Sequence, residues 1–159
     1  MIRLYHGSNA PIEHIDLAQS KPNKDFGKAF YPSEHRQQAE DMSAFTVERL
    51  GGKAFVTEYE FDEQWLQGDL LKIKIFKDYS REWADFVFAN RNASCETNIH
   101  NFDIVYGPIA NDRVGRQIFN YKEGYIDADE FMNRLKYMKG VTFQYAFCTE
   151  KAIKKLSRI

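Results

Sequence analysis

Leu4-Tyr5-His6-Gly7-Ser8, near the start of the chain, decides how the rest is read. Ile2 to His6 alternates, with Ile2, Leu4 and His6 on one face, and predicts an opening strand. Gly7-Ser8-Asn9-Ala10-Pro11 then breaks it with turn residues. A glycine at a strand end lets a ligand approach the backbone, and His6 and Ser8 offer hydrogen bonds to hydroxyls. Two further stretches set unusual side chains beside similar breaks. Asp25-Phe26-Gly27-Lys28-Ala29-Phe30-Tyr31 is a glycine turn running into an aromatic pair. Thr142-Phe143-Gln144-Tyr145-Ala146-Phe147 is a strand whose alternation puts Phe143, Tyr145 and Phe147 on one face. Gln144 therefore points to the other face with Thr142 and Ala146.

Between these islands the periodicity predicts a mixed α+β chain, with strands too unevenly spaced for a regular βαβ repeat. Helix is expected over 34–50, where Ala39, Met42, Phe45 and Arg49 recur at helical spacing before Gly51-Gly52. Strands are expected over 54–61, with Phe55, Tyr59 and Phe61 on one face, and over 70–76, where Leu71, Ile73 and Ile75 alternate with lysines. A second helix over 80–91 carries Trp83, Phe86, Val87 and Asn90 on one side. A short strand over 103–106 ends at Gly107-Pro108, and a helical stretch covers about 114–121. The next helix follows Asp127 as cap and Glu130 at the capping-box position, buries Phe131, Leu135 and Met138, and closes at Gly140. A strand over 141–148 leads to a final helix opened by Thr149, with Ile153 and Leu156 inward. Its lysines 151, 154 and 155, with Arg158, solvate an outer face and complement the helix dipole.

Composition narrows the function classes. The 159 residues carry 22 Lys and Arg against 23 Asp and Glu, a net charge of −1, so a protein held mainly by nucleic-acid phosphates is disfavoured. Hydrophobic residues make up 43% and aromatics 15%, which excludes disorder and fits one domain over residues 1–159. No apolar run is long enough for a membrane span and no secretory signal opens the chain, so a cytoplasmic location is expected. Cys95 and Cys148 are too few and too far apart for a metal knuckle, and Cys148 reads as a small buried hydrophobe. His6, His14, His35 and His100 have no metal-ligand spacing, so no metal is expected.

In order and combination, His6-Gly7-Ser8, FGKAFY at 26–31 and the late strand with a polar residue before Tyr145 resemble the ADP-ribosyltransferase superfamily. The resemblance is to the His-Tyr-Glu branch shared by diphtheria-type toxins and the poly(ADP-ribose) polymerases. Within it, the chain is also similar to a small bacterial domain family of unknown function. LYHGS, DFGxGFY and GPxANDR recur in that family; here they stand at 4–8, 25–31 (DFGKAFY) and 107–113 (GPIANDR).

That resemblance implies a split β-sheet core with flanking helices, and NAD as substrate. His6 would hydrogen-bond the adenosine-side ribose, Gly7 would hold the nicotinamide carboxamide through its backbone, and Ser8 would support the carboxamide or the nicotinamide ribose. Tyr31 would stack on the nicotinamide ring, with Lys28 close to the same pocket. Met42 stands where the branch carries a second stacking tyrosine, eleven residues after Tyr31. Gln144 stands where the branch carries its catalytic glutamate, so the implied catalytic residues are Gln144, His6 and Tyr31. A glutamine oxygen accepts the ribose 2′-hydroxyl bond without a negative charge, a difference of roughly 1–2 kcal/mol or about ten- to thirtyfold in rate. Single transfers survive that change and chain elongation does not, so mono-ADP-ribosylation is the implied activity, and Gln144→Glu is expected to accelerate it.

Asn111-Asp112 reads as a turn and helix cap; alternatively, Asp112 supplies the missing carboxylate or positions the acceptor. The acceptor, a protein or nucleic acid, would be chosen by the segment from Tyr125 to Gly140. The bacterial relatives imply a toxin of a toxin–antitoxin or phage-conflict system, with an antitoxin protein as partner. The alternative is a catalytically weak or inactive NAD- or ADP-ribose-binding module of the same fold, which Gln144 and Met42 favour.

Overall fold

A computed structural model describes residues 1–138 and 140–159. The element order is β1 (Ile2–Ser8), α1 (Arg36–Leu50), β2 (Phe55–Phe61), β3 (Ile73–Ile75), α2 (Arg81–Arg91), β4 (Ile104–Pro108), α3 (Asp112–Lys122), α4 (Ala128–Lys136), β5 (Phe143–Phe147), α5 (Glu150–Ile153) and β6 (Leu156–Arg158). These form an α+β arrangement with two small sheets, β1-β2-β6 and β3-β4-β5. The first is antiparallel; in the second, β3 runs parallel to β4 and β5 antiparallel to it.

One extended segment, Phe30 to Ser33, sits between the sheets and bonds to both. Phe30 exchanges backbone hydrogen bonds with Phe147 (2.9 and 2.8 Å), and Pro32 O accepts from Tyr145 N–H at 3.3 Å. On its other edge, Ser33 exchanges bonds with Tyr5 (2.7 and 2.8 Å). The alternation follows from strand geometry, in which successive residues turn their polar groups to opposite edges.

Two apolar clusters hold this frame. Leu4, Phe30, Tyr59, Phe61, Leu71, Ile104, Tyr145 and Phe147 pack where the sheets face each other. Phe26, Phe76, Trp83, Val87, Val105, Val114, Ile118, Phe131 and Leu135 pack where α2, α3 and α4 meet the second sheet. The caps are those the sequence chemistry demands. Ser80, Asn111, Asp127 and Thr149 accept from the N–H of Trp83, Val114, Glu130 and Ala152, respectively. The buried Trp83 spends its indole N–H on Pro108 O at 3.1 Å, tying α2 to the end of β4.

Several expected elements differ. The final helix is one short turn, and Leu156 belongs to β6, where it pairs with Phe61 of β2. The free edge of β2 captures this segment, and a partner so distant in sequence leaves no local trace. Of the residues expected to alternate over 70–76, Ile75 is 42% exposed while Leu71 and Phe76 are buried, because β3 is a short edge strand. The helix expected to close at Gly140 ends at Lys136, and Lys139 lies outside the described residues. Within α1, only Ala39 and Ser43 are buried, whereas Met42 and Phe45 are about half exposed.

The small residues of α1 are explained by Gly7. A Cβ on Gly7 would lie 1.8 Å from the carbonyl oxygen of Ala39 and 2.8 Å from the Ser43 nitrogen. The backbones of β1 and α1 therefore touch, and only a glycine permits it. Gly7→Ala is expected to destabilise the fold by about 3 kcal/mol, because the clash is with backbone rather than with a side chain that can swing away. A urea melt showing a loss under about 1 kcal/mol would mean that α1 lifts easily from β1.

Candidate functional site

A cleft opens where α1 leaves the segment 30–33. It consists of two adjoining cavities of about 880 and 380 Å³ that share His6, Gly7, Lys24, Tyr31, Met42 and Phe45. The larger continues to Asp25, Arg91, Ile109, Asp112, Thr142 and Gln144. The smaller continues to Ser8, His14, Lys21 and Arg49. Residues from distant parts of the chain thus meet around one space. The exposure of Met42 and Phe45 makes sense here, since both line the cleft.

His6 is fixed by one bond. Its Nδ1 lies 3.2 Å from Tyr31 O, and a carbonyl only accepts, so Nδ1 carries the proton and Nε2 is left as the ring's free acceptor. Its ring also packs against Phe30 at 4.4 Å. Burial holds the imidazole below its ordinary 6.5, the Tyr31 bond opposes this and Lys24 adds to it, so the neutral form prevails.

At Gly7 the first sheet and the segment 30–33 begin to part. Tyr5 turns its N–H and C=O to Ser33, and Gly7, two residues on, turns its own to the same edge, opposite Tyr31. No hydrogen bond joins the Gly7 and Tyr31 backbones among the described residues. One donor and one acceptor therefore lie side by side at the root of the cleft.

Tyr31 presents a ring held from behind. Its hydroxyl donates to Gly27 O at 2.5 Å and accepts from Phe26 N–H at 3.1 Å, and burial raises its pKa well above the ordinary 10. The Lys24 ammonium lies 5.6 Å from the ring centroid. The turn behind it requires Gly27, which has φ +89° and no room for a Cβ beside Asn98 Oδ1. Asn98 pairs with the Lys28 backbone in both directions, at 2.6 and 2.8 Å, and His100 Nε2–H donates to Phe26 O at 2.8 Å.

Charge is distributed unevenly. Lys21, Lys24 and Arg49 line the smaller cavity. Partial desolvation first, and then repulsion from Lys21 and Arg49 against the pull of Asp25, lowers the Lys24 pKa below its ordinary 10.5. In the larger cavity, Asp25 accepts from Arg91 Nε at 2.7 Å and from Ala110 N–H at 3.0 Å. Gln144 Nε2 reaches the same carboxylate at 3.5 Å.

The structure brings together His6, Gly7, Tyr31, Met42, Asp112 and Gln144 of the residues singled out from sequence. Ser8 lines the smaller cavity, with its hydroxyl donating to Ala10 O at 2.6 Å. Asn111 is the α3 cap, and Asp112, exposed in the first turn of α3, stands at the cleft rim. Lys28 is a correction: it lines separate small cavities beside Asn98, because the turn at Gly27 directs it away, and Lys24 takes the place by Tyr31. Asp25, Arg91, Lys21, Lys24 and Arg49 join the site without being among the residues the sequence points to. Asp25 opens the DFGKAFY stretch and was the one visible signal, whereas Arg91 had only its position at a helix C-terminus. Among the described residues no cluster of His, Cys, Asp or Glu is arranged to hold a metal, and no helix is long and apolar enough to cross a membrane. Buried Cys148 has its pKa pushed up to about 12, by burial and then by Asp103, so it packs as a neutral thiol.

A family model described as "Protein of unknown function (DUF3990)" matches residues 2–157, and the chain belongs to that family. No curated protein and no solved structure matches it.

Burial also lowers the pKa of His100, with the Phe26 bond opposing. Both His6 and His100 stay neutral in the fold while the unfolded chain takes up protons near pH 6.5. Their contribution to stability is full above that pH and is lost as pH falls through the depressed folded values. The melting temperature is expected to drop between pH 7.5 and pH 5.5, and to drop less in His6→Ala and in His100→Ala. Equal slopes in all three proteins would rule out this origin.

Proposed function

We propose that this protein is an NAD-dependent mono-ADP-ribosyltransferase acting on a macromolecular acceptor. The observation that carries the reading is the single cleft in which His6, the Gly7 backbone, Tyr31 and Gln144 converge. Each offers what one part of NAD requires. The Gly7 donor and acceptor suit a carboxamide, the Tyr31 ring suits a flat heteroaromatic ring, and the free Nε2 of His6 suits a ribose hydroxyl. Lys21, Lys24 and Arg49 suit a diphosphate, whose charge relieves their mutual repulsion. Met42 and Phe45 cover the open side of the same space.

In the reaction, the bond from the ribose C1′ to the nicotinamide nitrogen breaks and its electron pair leaves with nicotinamide. A lone pair of the acceptor's oxygen or nitrogen bonds to C1′, and the acceptor's proton passes to solvent or to a base beside it. The protein's work is to orient NAD, keep the nicotinamide ring stacked, and accept a hydrogen bond from the ribose 2′-hydroxyl at Gln144 Oε1 as positive charge develops on the ribose. Asp112 at the rim, with exposed Tyr125 and Tyr137 nearby in sequence to α4, offers the acceptor side. A toxin role with a neutralising protein partner follows from the same resemblance and belongs to this proposal.

A second reading, a module that binds NAD or ADP-ribose without transfer, draws on Gln144 being uncharged. Nicotinamide release from NAD by the purified protein, with and without cell lysate, separates the two. Release is expected, increased by lysate, and reduced about tenfold or more in His6→Ala and Tyr31→Ala. NAD binding without release would establish the binding module, and neither binding nor release would sink both readings.

A further inference from the structure

Asp25 is held more firmly than any other charged group in the cleft. Its side chain is 11% exposed. One oxygen accepts from Arg91, with Nε at 2.7 Å and Nη2 at 2.6 Å, and the other accepts from Ala110 N–H at 3.0 Å. Arg91 is itself tied to Ala110 O at 2.7 Å. It lies over the first turn of α3, where a Cβ on Gly115 would come within 2.7 Å of its Nη1. The carboxylate therefore cannot swing away. The backbone of Gln144 is fixed as well, since β5 pairs it with Gly107 of β4.

The two side chains meet at 3.5 Å, between Gln144 Nε2 and Asp25 Oδ2. A carboxylate has only lone pairs to offer, so the amide must turn its NH2 toward Asp25 and its oxygen away. We propose that Asp25 is the positioning residue for Gln144, its carboxylate orienting the amide so that Oε1 faces the cleft as the acceptor for a ribose hydroxyl. This rests on the transferase reading. Two consequences distinguish it from a passive contact. A glutamate at 144 would set two like charges against each other, which disfavours the ionised pair. The glutamine is thus the match to Asp25 rather than a weakened glutamate, and Gln144→Glu alone slows the reaction where the sequence predicts acceleration.

The test exchanges the two groups. Asp25→Asn keeps an oxygen for Arg91, which can only donate, and sets an NH2 where Oδ2 accepted from Ala110 N–H and Gln144, so it no longer draws the Gln144 NH2 toward itself. It is expected to lower kcat for nicotinamide release about tenfold, with the Kd for NAD changed less than about threefold. Gln144→Glu is expected to lose rate as well. Asp25→Asn combined with Gln144→Glu re-forms an amide–carboxylate pair with the roles reversed, and should recover at least the wild-type rate. The same exchange should restore the melting temperature lost in Gln144→Glu, a readout that needs no NAD. Additive losses in the double variant, or acceleration by Gln144→Glu alone, would overturn the proposal. If Asp25→Asn fails to fold, Gln144→Glu still decides: a fall supports the pairing and a rise defeats it. Release by the wild type with full kcat in a folded Asp25→Asn defeats the positioning role alone. Absence of both NAD binding and release in the wild type defeats the transferase reading, and the role of Oε1 with it.

Discussion

The backbone of residues 30–33 is bonded on both edges, to β5 through Phe30 and Pro32 and to β1 through Ser33. Everything else in the structure depends on this short segment. Neither three-stranded sheet touches the other by a regular ladder, and each would present an unpaired edge without it. The segment joins them and ends the pairing abruptly at Tyr31, opposite Gly7, where the two strands part. The cleft exists because that pairing stops there. Its walls are whatever the chain brings to the gap: α1 on one side, and Asp25, Arg91 and Gln144 on the other.

Gly7 has two consequences from one physical fact, the missing Cβ. It lets α1 lie directly on β1, with Ala39 and Ser43 as the only buried residues of that helix. The close approach leaves Met42 and Phe45 facing the gap, and places the free Gly7 backbone groups at its root. A glycine that looks like a ligand-binding residue is also a packing residue, and the two roles reinforce each other. The GPIANDR stretch has a similar double character. Gly107 and Pro108 end β4 against Phe26, Phe76 and Trp83, Ala110 is clasped by Asp25 and Arg91, and Asn111 caps α3. Most of that motif supports the cleft from behind, while Ile109 and Asp112 line it.

Much of this was legible in the amino-acid order. The opening strand, the capped helices α2 and α4, and β5 with its two faces all carry local signals. Serine and aspartate caps compete with water only for adjacent N–H groups, and alternation along a strand needs no partner to be visible. His6, Gly7, Tyr31 and Gln144 stand in the three stretches that carry the family resemblance, and they share one space. Lys28 was misplaced because the left-handed turn at Gly27, locked by Asn98 from seventy residues away, decides which lysine faces Tyr31. Leu156 reads as helical from its neighbours because nothing near it announces the open edge of β2, where it pairs with Phe61.

The sequence by itself determined most of the strands, helices and caps, and which polar groups stand at the breaks, since those properties depend on neighbours within a few positions. Only the tertiary structure decided what those groups face. Asp25 meets Gln144 across 119 positions and Arg91 across 66, distances over which no local periodicity carries information. The orientation of one amide, set by a carboxylate that can only accept, is a property of that meeting and of neither residue alone.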